Sequence, residues 1–210
     1  MIDTYEFELH FALPDMQADA EAWLDALFEA GCDDALVGVA VPGRVSVSFR
    51  RSGSGAMTIL LAAITDVGRA IPGARLMSAG PDLLNLTELA GHLTDHDAPI
   101  TRQAMRKYAS GEAKTRTMPF PVPAVSGGTP LWHLDDVLHW MTGEHKLPEA
   151  PRLAALQRLA RVTKALNAAC EYQRACAGAP ELMAALEEGL SQSALASLPS
   201  TAHALSENAH

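Results

Sequence analysis

The chain is predicted to be α+β. An N-terminal sandwich with elements in the order βαββαβ is followed by a head of two short helices, a Pro-rich hairpin and an aromatic closing helix, and then by a C-terminal helical segment. Three observations lead there. Apolar residues alternate with a period of two in several short stretches of the first 80 residues, they recur at helical spacing between those stretches, and from residue 83 onward capped helices replace the alternation.

In residues 4–13, Tyr5, Phe7, Leu9 and Phe11 alternate with Glu6, Glu8 and His10, the mark of a half-buried strand. A helix is expected from Met16 to Ala30, with Ala20, Trp23, Leu24, Leu27 and Phe28 on its apolar side and Gly31 as its stop. DALVGVAV is a second strand, Pro42-Gly43 a turn, and RVSVSFR a third strand through Val45, Val47 and Phe49. A loop at residues 53–55, a helix from Met57 to Ala70 and the strand ARLMSAG complete the order, which points to a ferredoxin-like split sandwich over residues 1–81. That architecture hosts many activities, ACT-like effector binding among them, so it assigns none. SGSG at Ser52 to Gly55 precedes a helix and is read as a plain loop rather than an anion site.

The head spans residues 82–141. In LTELAGHL, Asn85 caps and Glu88 reaches back as in a capping box, while Leu86, Leu89, Ala90 and Leu93 form one face. ITRQAMRKYASG follows, with Thr101 as N-cap and Gly111 as stop. Ile100, Ala104, Met105 and Tyr108 share its inner side and leave Arg102, Gln103, Arg106 and Lys107 on the outer one. Arg addresses guanine and Gln adenine in a major groove, and Lys suits phosphate; the plainer alternative is a solvated helix face. MPFPVPAV carries Pro119, Pro121 and Pro123, SGGT supplies a turn, and PLWHLDDVLHWM returns as a helix, so an edge hairpin is expected. Trp132, Leu134, Val137, Leu138, Trp140 and Met141 are assigned to the core.

This order, with Thr101-Arg102-Gln103 opening the second helix, the Pro-rich wing and PLW followed by Val137 and Trp140, resembles the winged helix-turn-helix of the AlpA, excisionase and MerR type over roughly residues 83–141. The resemblance implies double-stranded DNA as partner, Thr101, Arg102, Gln103, Arg106 and Lys107 in the major groove, and Lys114 and Arg116 of the wing on the backbone. The chain departs from the family in its longer turn over residues 94–100, which carries Asp95 and Asp97, and in His133, where the family often places a base.

A net charge of −9 over 210 residues argues against indiscriminate coating of nucleic acid, but residues 101–116 hold Arg102, Arg106, Lys107, Lys114 and Arg116 against Glu112 alone. With 48% hydrophobic and 20% charged residues and no long apolar run, no membrane span is expected. The acidic N-terminus is unlike a signal peptide, and Cys32, Cys170 and Cys176, odd in number and without CxxC spacing, read as reduced thiols, so the cytoplasm is expected.

Beyond the head, residues 142–190 form a helical segment, with Leu153, Leu156, Leu159, Leu166 and Cys170 near one side of a helix from Arg152 to Ala175, a break at Gly178 and Pro180, and a helix from Glu181 to Leu190. Residues 191–210 are expected to be a disordered tail. His92 and His96 lack a third ligand nearby and no catalytic triad stands out, so neither metal, cofactor nor enzymatic activity is expected. The function expected is therefore a dimeric, sequence-specific transcriptional regulator. The alternative is an excisionase- or antitoxin-like adaptor whose acidic body binds a protein partner.

Overall fold

The computed structural model describes residues 2–113 and 118–196, with side chains as far as residue 191. The chain divides at Cys170 into two compact units. Both α and β structure are present, and the main sheet is antiparallel.

In the first unit, strands β1 (Asp3–Ala12), β2 (Ala35–Gly38), β3 (Arg44–Gly53) and β4 (Arg75–Gly80) make one sheet in the order β2-β3-β1-β4. The period-two pattern decides which face is covered. Tyr5, Phe7, Leu9 and Phe11 of β1 and Val45, Val47 and Phe49 of β3 are all buried, in a register that sets Phe7 opposite Phe49 and Leu9 opposite Val47. The two phenyl rings stack at 5.3 Å. Helix α2 (Ala56–Ala70) lays Ala56, Leu60, Ala63 and Val67 on this face, and each large apolar side chain so buried contributes about 1.5–3 kcal/mol.

The helix expected from Met16 begins later and is irregular: a 3-10 turn (Ala20–Trp23), one α-helical turn, α1 (Leu24–Leu27), and a π turn (Phe28–Cys32). Ala20 and Leu27 are buried as expected, but Leu24 and Phe28 are 40% and 67% exposed. The cause lies in the turn after β2. Gly43, at φ 71°, accepts from the Leu13 N–H and donates to the Ala18 carbonyl, which pins residues 13–18 as a loop. A Cβ at Gly43 would stand 2.5 Å from the Met16 carbonyl oxygen. Arg51 closes this end: its guanidinium bonds Asp34 at 2.9 and 3.1 Å, Asp66 at 2.9 Å and the Gly31 carbonyl at 2.6 Å, over the Phe49 ring. Burial would lower its pKa, yet the paired carboxylates of Asp34 and Asp66 raise it overall.

After β4 come a short strand β5 (Leu83–Leu84) and helices α3 (Leu86–Asp95) and α4 (Arg102–Ala109). Strand β6 (Trp132–His133) pairs with β5 and leads into α5 (Leu134–Gly143). These elements bury a second core that includes Leu89, Leu93, Met105, Trp132, Leu138 and Trp140. Helix α6 (Pro151–Gly178) serves both cores, with Ala155 and Leu159 in the first and Leu153, Leu156 and Ala160 in the second.

Where β4 meets the head, α6 ties the chain down. The Asn167 amide accepts from the Ala79 N–H at 2.7 Å and donates to the Ala79 carbonyl at 2.9 Å, taking the place of a neighbouring strand at this sheet edge. The same amide donates to the buried Asp82 carboxylate at 2.7 Å, whose other oxygen lies 2.7 Å from His133 Nδ1. Thr163 donates to the Pro81 carbonyl at 2.7 Å.

The second unit contains the end of α6 and helix α7 (Pro180–Ala196). The Tyr172 hydroxyl donates to Glu187, and Leu182, Leu186 and Leu190 form an exposed stripe on α7. Helix α7 continues past Leu190 to Ala196, so the expected disordered tail does not begin at 191; residues 197–210 lie outside the described residues.

Candidate nucleic-acid interface

Helix α3 begins as its sequence dictates. The Asn85 side chain accepts from the Thr87 and Glu88 N–H groups, and Glu88 accepts from the Asn85 N–H at 2.8 Å, a complete capping box. After Asp95 the chain turns through Asp97, at φ 64°, and Ala98 donates back to the Leu93 carbonyl. Buried Ala98 and half-buried Ile100 anchor this turn, so its extra length is packed rather than loose. Thr101 then caps α4 by accepting from the Ala104 N–H at 3.1 Å, and Gly111 ends the segment at φ 76°.

On α4, Met105 is 0% exposed and Tyr108 tilts against Trp140 with ring centroids 5.2 Å apart. Thr101, Arg102, Gln103, Arg106 and Lys107 are exposed, as the spacing predicts. No ion pair reaches Arg102, Arg106 or Lys107 among the described residues. Arg106 and Lys107 stand in the last turn, where the helix dipole favours cations. Arg102 stands in the first turn, where the dipole opposes one, so helix stability does not account for it.

The nearby acids are partly occupied. The Asp97 carboxylate lies 3.7 Å from Arg152, and Glu112 accepts from the Ser110 hydroxyl at 2.9 Å. Lys146, which sequence periodicity does not single out, adds a cation: its ammonium lies 4.8 Å from the centre of the Tyr108 ring and 5.6 Å from that of Trp140. It reaches this position from the turn after α5, through a backbone bond to Met141 that no local pattern announces.

The Pro-rich segment differs from the expected hairpin. Among the described residues its ladder is the single bridge between Val125 and Leu131. Prolines at 119, 121 and 123 have no N–H to donate, so two tryptophans hold the segment instead. Trp140 Nε1 donates to the Met118 carbonyl at 3.0 Å and Trp132 Nε1 to that of Pro121 at 2.9 Å, while Phe120 packs between the two indoles. Lys114 and Arg116 lie outside the described residues.

On α3, His96 Nδ1 lies 2.7 Å from the His92 carbonyl oxygen, and no group of three potential metal ligands occurs among the described residues. Burial pushes the His92 imidazole below the usual histidine range, and the neighbouring His96 lowers it further.

No protein-family model, curated protein or solved structure matches the chain significantly. The arrangement itself shows a short, doubly anchored helix with hydrogen-bond donors and positive charge on its outer face. No helix among the described residues is long and apolar enough to cross a membrane.

Proposed function

We propose that the protein is a sequence-specific DNA-binding regulator, working in the cytoplasm as a homodimer. In this reading residues 82–141 are a winged helix-turn-helix, and α4 enters the major groove through Arg102, Gln103, Arg106 and Lys107. Thr101 would lie at the groove edge, and Lys114 and Arg116 would meet the backbone. Residues 1–81 are read as a ferredoxin-like domain, supported by the strand order β2-β3-β1-β4. Two heads on an inverted repeat would multiply the limited surface that one small head buries.

The observation that carries this reading is the outer face of α4, which is exposed and without ion-pair partners among the described residues and includes a guanidinium that the helix dipole disfavours. A genome-fragment binding selection at physiological salt tests it, and one recurrent motif is the expected outcome. Arg102→Ala should cost about 1–3 kcal/mol and relax specificity at one base position, whereas Lys107→Ala should weaken binding to all sequences and reduce the salt slope by about 1. Unchanged binding in both variants would remove α4 from the interface.

A second reading is favoured by the net charge of −9 and by exposed Asp95 beside the α3–α4 turn. It makes the chain an excisionase- or antitoxin-like adaptor whose acidic body binds a basic protein. A co-purifying partner, with no salt-sensitive retention on DNA, is its signature.

A further inference from the structure

The sheet face opposite the first core is not left to open solvent. Strand β5, the first turns of α3 and Asn167 of α6 rise beside it and enclose a groove of about 950 Å³, a size suited to a small molecule. Its floor is the polar face of β1 and β3. Glu8 stands on a central strand, with small cross-strand neighbours on both sides, Ser48 on one and Gly80 on the other. That side chain is 42% exposed, and His10 Nε2 lies 3.5 Å from its carboxylate.

Two further features define the ligand chemistry. The groove also presents apolar side chains that the fold leaves uncovered: Leu36 is 79% exposed and Leu83 is 41% exposed. Carboxylates outnumber cations along it. Five carboxylates line it, those of Glu6, Glu8, Asp34, Asp82 and Glu88, and Arg50 and the Arg51 partner of Asp34 balance two of them. Asp82 is spent on His133 and Asn167, and Glu88 on its helix cap, which leaves Glu8 as the carboxylate least committed to the fold. An anion entering here would meet uncompensated like charge, whereas an ammonium would find an acceptor and a hydrophobic wall.

We propose that this groove binds a small organic amine, its ammonium held against Glu8 and its apolar body against Leu36 and Leu83. The proposal stands apart from the DNA reading, and its test uses the full chain without DNA. Calorimetric titrations would compare butylamine, phenethylamine and tryptamine with pentanoate, 3-phenylpropionate and indole-3-propionate, which pair similar bodies with the opposite charge. The expected result is saturable one-to-one binding of an aromatic amine, silence from the carboxylates, and binding about tenfold weaker in both Glu8→Gln and Leu36→Ser. Both positions are exposed enough for the variants to fold. Equal binding of amines and carboxylates, no saturation by any amine at millimolar concentration, or affinity unchanged in both variants would overturn the proposal. Binding of tetralysine with the small amines silent would overturn it too, and would reassign the groove to a basic peptide.

Discussion

Replacing Asn167 by Leu removes three hydrogen bonds while roughly keeping the side chain's volume. The amide bonds both backbone groups of Ala79, a residue 2% exposed, and donates to Asp82, which is 4% exposed. Leu leaves a buried N–H and a buried carbonyl without partners and takes one donor from a buried carboxylate, which keeps His133. At about 1–3 kcal/mol for each group left unmatched, and with partial rescue by water at this half-buried position, the loss is about 3–5 kcal/mol. That is a large part of the roughly 5–15 kcal/mol that holds a domain of this kind folded. Urea unfolding followed by tryptophan fluorescence is the assay. With a slope of roughly 2 kcal/mol per molar, the midpoint should fall by about 1.5–2.5 M at unchanged slope. A fall below about 0.5 M would refute the view that Asn167 serves as the missing strand at the β4 edge.

Met105→Ala empties the anchor beneath α4, where the side chain is 0% exposed, and should cost about 2–5 kcal/mol in the same assay. His92 takes up its proton less readily folded than unfolded because burial lowers its pKa, so stability should fall as pH drops through about 6.5 and level off below the lowered native value. The drop in urea midpoint between about pH 7.5 and about pH 5.5 should therefore be smaller in His92→Gln, and an equal drop would count against this account. Cys32 is 3% exposed and burial pushes its thiol up, so a thiol reagent should modify half-buried Cys176 first; the reverse order would contradict the burial at Cys32.

What could be read in advance was local. The alternation through Tyr5, Phe7, Leu9 and Phe11, the Asn85–Glu88 box and the Thr101 cap depend on residues a few positions apart, and they stand as the sequence predicts. The outer face of α4 follows from the same periodicity. The departures come from partners far along the chain. Gly43 reaches back to Leu13 and Ala18 and shortens the first helical segment, Trp132 and Trp140 hold a Pro-rich strap that cannot hold itself, and Lys146 arrives beside Tyr108 from a turn. The sequence of α6 predicts one apolar side, yet Leu159 and Leu156 belong to different cores, a split that a one-stripe pattern does not reveal.

That split helix has a consequence for how the chain can change. Over residues 153–160, α6 is a party wall, with Leu153, Leu156 and Ala160 turned to one tenant and Ala155 and Leu159 to the other. The first 81 residues cannot be traded as a cassette for another sandwich without a helix that also fits the head, because either half taken without the wall opens its own core to water. A larger side chain at Ala155 or Ala160 must find its room on one side without shifting the leucines that seal the other. The two halves are bound to drift together, each constrained by substitutions that suit its neighbour.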